Sequence, residues 1–485
     1  MKKRIIFGLL LVCGLVSAQP QDIRKAVVKV YATYAHPHYY TPWNMPGPAQ
    51  RTGSGSVISG KRIITNAHIV SDETFLQVRR FGDPKKYRAR VLFVSHAVDL
   101  ALLTVDDASF FDGIEPLEID GLPELQAEVV VLGYPLGGDT LSATKGVISR
   151  IEHRNYSHSS FSFLAGQIDA AINPGSSGGP VMKGSKLVGV VMQGLSTADN
   201  IGYMVPTPMI DHFLEDVTDG HYDGVPDIGV FDQTMENTAL KQACQMTEEE
   251  TGVLVYRVIP GSASDGVLQP GDVITEVDGY SVADDGTIEF REDERTGFSY
   301  RAELKQVGQT MPLKIWRDGQ TLSKELAFCR PVEEEMLVPR DQYDIHPTYY
   351  IVGGLVFSPL TKNYLSIWSD WYNKAPKELI SLYLDQNMDN SEQEVVILGR
   401  VLADDINRGY HNWHSWVIHS VNGEKINNLS DLIQKVEESD SNGLLVFSDD
   451  SGKQLVIDYQ AAIKSHEDVL KRYRIPLDRS GDLIK

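Results

Sequence analysis

Positive charge is in short supply in this sequence. Lys and Arg total 45 against 66 Asp and Glu, a formal net charge of −21. Phosphate binding needs clustered positive charge, so the balance argues against nucleic acid as a main partner and disfavours adhesion to an anionic membrane. Long apolar runs are missing beyond the N-terminus, so the mature chain is expected to be soluble, without a membrane span. Cysteine is scarce too. Of Cys13, Cys244 and Cys329, only the last two stay clear of the N-terminal segment. Both fall in one predicted domain, which leaves open either a disulfide in an oxidising compartment or two free thiols.

The N-terminus reads as a targeting segment. Lys2, Lys3 and Arg4 form a positive stretch, Ile5–Val16 a short apolar one, and Val16-Ser17-Ala18 offers small residues for cleavage. A signal peptide over residues 1–18, cut after Ala18, is expected, and with it an exported chain, periplasmic or secreted. An uncleaved anchor would need a longer apolar run, and Val12 is bulky for lipid attachment at Cys13.

A chain of 485 residues exceeds one ordinary core, and two to four domains are expected. Residues 22–218 carry short β-branched runs punctuated by Gly, Pro, Asp and Asn, the pattern of a barrel or sandwich, closed by a helix over Pro208–Val217. The turn-rich Asp219–Pro226 reads as a linker. A second unit of mixed strands and helices spans 225–331, and a third spans 347–463. The acidic, Pro-containing stretch Arg330–His346 reads as the linker between them, and the strongly charged 464–485 as a surface helix or a partly ordered C-terminal tail.

Three segments carry chemistry. Arg62-Ile-Ile-Thr-Asn-Ala-His-Ile-Val70 ends a strand and places His68 on the following turn, after Thr52-Gly-Ser-Gly-Ser-Val-Ile-Ser-Gly60. Val98-Asp-Leu-Ala-Leu-Leu103 leads an Asp into an apolar strand. Asp169-Ala-Ala-Ile-Asn-Pro-Gly-Ser-Ser-Gly-Gly-Pro-Val181 surrounds Ser177 with glycines. A serine hydroxyl is a poor nucleophile until a base takes its proton. An imidazole can do so and later protonate the leaving amine, and a buried carboxylate holds the productive tautomer. His68, Asp99 and Ser177 are therefore the candidate triad. Glycines around Ser177 allow a sharp turn that aims the N–H groups of Gly175 and Ser177, flanking Ser176, at one point as an oxyanion hole.

Together the segments resemble those of the Deg/HtrA serine proteases, with Thr-Asn-Ala-His, Asp-Leu-Ala-Leu and Asn-Pro-Gly-Ser-Ser-Gly-Gly-Pro in the family order. The stretches Val225–Val230, Thr251–Val258 and Leu268–Val282 resemble a PDZ domain of that family. Gly353-Gly-Leu-Val-Phe357 and Val401–Tyr410 resemble the second PDZ domain of its long plant and bacterial members. The resemblance implies a mainly β protein: a chymotrypsin-like double β-barrel protease domain followed by two PDZ-like α+β domains. It also implies an ATP-independent serine endopeptidase without cofactor or metal, acting on unfolded or damaged proteins, and assembly into trimers or hexamers. Ser176 stands where the family usually has Asn, but its backbone N–H is retained.

By the same resemblance the strand Val188–Gln193 lines the primary pocket, with Val190, Val191, Met192, Ala171 and Ile172 as its candidate residues. None is acidic, so cleavage after small or medium apolar residues is expected. A PDZ domain adds an extended peptide to a sheet edge. Ile228-Gly229-Val230 and Gly354-Leu355-Val356 are the candidate loops for capturing peptide termini, although either could instead be structural. A holdase-type chaperone or PDZ scaffold, or a narrow processing protease, are the alternative readings.

Other motifs read as bland. Gly55–Arg62 nearly matches a phosphate-binding loop but lacks the magnesium hydroxyl. Gly175-Ser-Ser-Gly-Gly179 formally matches a nucleophile elbow, yet a strand follows it. His36, His38, Tyr39 and Tyr40 read as an aromatic segment packing on a neighbour, a trimer contact by resemblance. His153 and His158 read as solvent-facing, and His96 as a weak rival of His68.

Overall fold

The computed structural model describes residues 22–194, 201–331, 334, 336–385, 393–440 and 443–484; the expected signal segment lies outside them. Six strands, β1 (Val27–Tyr34), β2 (Ala49–Ile58), β3 (Arg62–Thr65), β4 (Glu73–Arg80), β5 (Lys86–Ser95) and β6 (Leu100–Val105), close in the order β1-β2-β3-β6-β5-β4. Six more close a second barrel: β7 (Glu128–Gly133), β8 (Ser142–Asn155), β9 (Ser162–Ile168), β10 (Pro180–Lys183), β11 (Lys186–Gly194) and β12 (Gly202–Pro206), in the order β10-β11-β12-β9-β8-β7. Closure leaves no free sheet edge. Inward Val, Ile and Leu side chains of both barrels merge into one continuous core. The expected closing helix is present as Thr207–Asp216, with Pro208 in its first turn where a missing N–H costs nothing.

The sequence pattern predicts most of these strands within a few residues. Its β-branched runs pass over β12, which opens on Gly202.

The next unit holds a sheet whose main path runs Val230–Thr234, Val253–Val258, Val273–Val277, Thr310–Arg317 and Gln320–Ala327, with a helical turn at Tyr300–Glu303. Its core gathers Ile228, Val253, Val255, Ile274 and Met311. Its two thiols, Cys244 and Cys329, are unpaired. The last unit has two four-stranded sheets, one ordered Tyr350–Val352, Leu355–Pro359, Val396–Val401 and Trp416–Ile418.

Two segments are packed more closely than their composition suggests. Residues 464–485 take the helical alternative at their start. Helix Tyr459–Tyr473 buries Val469 and Leu470, Ile475 is buried behind it, and Ile351 N–H donates to Asp478 O at 2.7 Å. The acidic stretch Arg330–His346 joins the two units as a packed linker. Leu337 and Val338 are buried in a cluster with Tyr364, Leu365 and Leu379, and Tyr343 and Asp344 dock on the first barrel pair. Sparse apolar residues hide both packings from a compositional reading.

The aromatic segment before β2 packs within the chain. Tyr39 and Tyr40 join the Leu337–Leu379 cluster of the last unit, Trp43 meets Tyr349 edge-on at 5.9 Å, and the Arg400 guanidinium lies over Tyr40 at 4.7 Å. The middle unit is clamped as well: His153 hydrogen-bonds Thr296 Oγ1 and Glu303 Oε1, both at 2.7 Å. His153 is thus largely buried at an interface rather than solvent-facing.

Candidate active site

The cleft between the barrels is built from three turns. The short helix Ala67–Val70 follows β3 and carries His68. Asp99 precedes β6 in a left-handed conformation, φ +58°, which a non-glycine residue adopts only when held. The buried Asn66 supplies that hold by donating from Nδ2 to the Asp99 carbonyl at 3.0 Å. Asp99 is fully buried. Its carboxylate accepts from His68 N–H at 3.0 Å and lies 2.9 and 3.0 Å from His68 Nδ1. A proton on Nδ1 satisfies that pairing and leaves Nε2 free as a base. Arg51 steadies the same turn from behind. It donates to the His68 carbonyl and sits over Tyr34 at 3.6 Å.

Ser177 follows the turn Asn173-Pro174-Gly175-Ser176, closed by Ser176 N–H to Asn173 O at 2.9 Å. Proline at the second position and glycine at the third, φ +96°, fit a type II turn. The Pro174 carbonyl accepts from Leu136 N–H at 2.7 Å. In a planar trans peptide the Gly175 N–H then faces the opposite way. Among the described residues neither Gly175 N–H nor Ser177 N–H donates to the protein. The Ser177 hydroxyl donates to Met192 O at 3.2 Å, not to His68.

Ser54 of the first barrel staples this loop. Its N–H donates to Ser177 O and its hydroxyl to Gly175 O, both at 2.8 Å, while Tyr134 N–H donates to the same hydroxyl at 2.8 Å. The approach is so close that a Cβ on Gly178 would overlap Ser54 O and Thr65 Oγ1, and one on Gly179 would overlap Leu132 O. Glycine is required at both positions by contact, and at Gly178 also by φ +80°.

His68, Ser177, Ile172, Asn173, Pro174, Met192, Gln193, Tyr156, Ser157 and His158 line one cleft of about 570 Å³. Of the expected pocket residues, Ile172 and Met192 reach it. Val190 and Val191 are sealed in the barrel core, and Ala171 lies exposed with its carbonyl on Thr144. Ile172 fits because the facing residue of β12 is Gly202, where a Cβ would collide with it.

The far wall is the part the sequence did not reveal. Tyr156, 2% exposed, brings its hydroxyl within 3.1 Å of His68 Nδ1. His158 is half-buried rather than solvent-facing. Its ring stacks on Tyr343 with centroids 3.9 Å apart and lies 3.2 Å from His96 Nδ1. Burial pushes His158 down to about 3, so it is neutral at ordinary pH. His96 turns its other nitrogen to Asp344 at 2.8 Å, which removes it as a rival base. The signal in the sequence was the Tyr-Ser-His spacing on a loop that lines the Ser177 cleft, but its partners lie far along the chain.

The two expected peptide-capture loops are both engaged internally. Gly229 N–H donates to Asp227 Oδ1 at 2.7 Å, and Ile228 is core. In the last unit, Leu355 and Val356 pair on one side with Val352 and Ile351 and on the other with Val401 and Arg400. The chain's own strand fills the edge that an incoming peptide would need. No group of side chains suited to a metal ion occurs among the described residues, and none of their helices is long and apolar enough to cross a membrane.

Comparison with known proteins places this geometry in context. Residues 53–190 match the model of a trypsin-like peptidase domain, and residues 338–482 that of a PDZ domain. The mitochondrial protease Do-like 4 of Arabidopsis thaliana is 39% identical over 452 residues, 93% of this chain and 84% of the relative. The chloroplastic protease Do-like 2 of the same plant is 38% identical over 469 residues, 95% of this chain and 75% of the relative. Among solved structures, the HtrA-type protease AlgW with a tripeptide shares the fold over 63% of this chain and 93% of its own, at 22% identity and a TM-score of 0.50.

Proposed function

This chain is a serine endopeptidase of the Do-like, or Deg/HtrA, family, and on that premise we propose that His68, Asp99 and Ser177 are its triad, hydrolysing peptide bonds of unfolded or damaged exported proteins. The observation that carries the reading is the buried Asp99 carboxylate on His68 Nδ1, 2.9 Å away, in a cleft that also holds the Ser177 hydroxyl.

His68 Nε2 takes the Ser177 proton as the hydroxyl attacks the scissile carbonyl, then returns it to the leaving amine. Asp99 stabilises the imidazolium formed between those steps. The N–H groups of Gly175 and Ser177 receive the oxyanion; losing one such donor costs on the order of a hundredfold in rate. For the first step the Ser177 hydroxyl turns from Met192 O to His68, a side-chain rotation on the picosecond to nanosecond scale. The freed Met192 carbonyl is then available to the substrate backbone.

Ile172 and Met192 give the pocket an apolar floor, which favours small or medium apolar side chains before the cleaved bond, the kind that misfolded chains expose. Residues 1–18 direct export, and a homo-oligomer, trimer or hexamer, is the working form. Digestion of unfolded casein by wild type but not by Ser177→Ala, read alongside the mass from size exclusion, tests this reading. Equal digestion by both proteins would remove it, and a preference for Lys or Arg before the cleaved bond would remove the pocket assignment.

A further inference from the structure

A buried carboxylate is held ionised by the hydrogen bonds it accepts, and each one lost raises the cost of its charge. Asp99 sits fully buried, and its chain neighbours Ala97, Val98 and Leu100 are buried with it. Its backbone and imidazole donors both come from His68. The side chain beside Ser177, Met192, offers no hydroxyl. The phenol of Tyr156 reaches the imidazole of this pair, 3.1 Å from His68 Nδ1.

The direction of its proton follows from the tautomer. With Nδ1–H given to Asp99, Nδ1 has no lone pair to offer. The acceptor then left beside Nδ1 for the Tyr156 proton is the Asp99 carboxylate, 2.9 Å from that nitrogen. Burial first, and then the Asp99 charge and hydrogen bond, hold the phenol well above its usual range, so it stays a donor throughout the working pH range.

The loop around Tyr156 is fixed on every side. Tyr156 N–H donates to Phe161 O at 2.8 Å, and Ser160 N–H donates to Tyr156 O at 2.8 Å. The Ser159 hydroxyl reaches Ala97 O, two residues before Asp99, at 3.0 Å. The Tyr343 hydroxyl donates to His158 O at 2.7 Å. A phenol serving only as core filling would not need its oxygen brought to this point.

We propose that Tyr156 is a positioning residue of the protease, whose hydroxyl donates to Asp99 and fixes the carboxylate and imidazole in the productive arrangement. The proposal rests on the triad reading above. Its consequence is specific: the phenol withdraws some of the Asp99 charge from His68. Without it the imidazolium is better stabilised, the orientation is looser, and the base becomes active only at higher pH.

The test compares wild type, Tyr156→Phe and Ser177→Ala on a fluorogenic peptide across pH. Tyr156→Phe is expected to lose about tenfold in kcat, with KM within about twofold and the acidic limb of kcat/KM moved up by about half a unit. A merely structural role would leave that limb in place. A site-specific 3-fluorotyrosine at position 156, a stronger donor of the same shape, should move the limb down, and it carries the test if Tyr156→Phe does not fold. Unchanged kcat and limb in Tyr156→Phe, or an unmoved limb in the fluorinated enzyme, overturn the proposal while Ser177→Ala stays inactive. Activity in Ser177→Ala would overturn the triad reading and this proposal with it.

Discussion

His158 and Tyr343 stack with their ring planes 10° apart. They lie 185 residues apart in the chain, so the pair joins the wall of the His68–Ser177 cleft to the segment between the two PDZ-like units. Aromatic pairing contributes about 1 kcal/mol beyond area burial. Tyr343→Ala is therefore expected to raise hydrogen exchange of residues 156–161 by about fivefold, the factor that energy corresponds to, while the PDZ-like sheets keep their protection. The kcat should fall with the loosened wall. Unchanged exchange in that loop would mean the stack bears no load.

The same ring makes the fold acid-sensitive. Burial depresses His158 from 6.5 to about 3 in the folded chain, with His96, His68 and Arg51 adding to the effect and Asp99 opposing it. Between those values the unfolded chain binds a proton that the folded chain refuses, so stability falls as pH drops. The contribution is complete above about pH 6.5 and lost progressively toward pH 3. Asp344 acts in the same direction further down. Burial pushes its carboxyl up, but the His96 hydrogen bond and charge outweigh that and hold it below 3.8. Wild type should lose more of its thermal midpoint between pH 7 and pH 5 than His158→Gln does, by about 2–4 °C.

Ser54 links the barrels at Ser177, the proposed nucleophile. Removing its hydroxyl leaves Tyr134 N–H and Gly175 O without their buried partner, at a cost of about 1–3 kcal/mol. Gly175 O belongs to the turn that orients the expected oxyanion donors. Ser54→Ala should therefore lower the unfolding free energy by that amount and cut kcat by about tenfold or more. Denaturant melts and kcat measured on the same sample check both effects. A stability loss with kcat intact would confine Ser54 to the fold.

Much of this site could be read from the sequence because its determinants are local. Thr65-Asn66-Ala67-His68, Asp99 before an apolar strand, and the glycines around Ser177 each impose a turn by their own chemistry. What escaped reading lay in the pairing of distant segments. Tyr156 and His158 sit in a polar loop whose composition says solvent, and only the return of Tyr343 and Asp344 buries it. Residues 464–485 leave helix and tail open because Val469, Leu470 and Ile475 are few among many charges, yet all three are buried. The strand β12 was missed because its Gly202, a weak strand former, is there to make room for Ile172.

The first PDZ-like unit shows why a loop's outline does not fix its ligand. A terminal carboxylate needs free N–H groups, but Gly229 N–H already donates to Asp227 Oδ1 at 2.7 Å. An ionised Asp227 would also repel an incoming carboxylate, by about 1 kcal/mol at 4 Å in water and more where solvent is excluded. Burial raises the Asp227 carboxyl, partly offset by the Gly229 hydrogen bond and by Arg340, so the repulsion weakens as pH falls. Asp227→Ala should remove both obstacles and tighten binding of an apolar peptide with a free C-terminus by about tenfold, a gain of about 1.4 kcal/mol. The corresponding C-terminal amide should gain much less, because it carries no charge to be repelled. Fluorescence anisotropy of the labelled peptides, with Ser177→Ala present to prevent cleavage, measures the difference. Equal affinity for acid and amide in both proteins would mean that this unit does not recognise chain termini through Gly229.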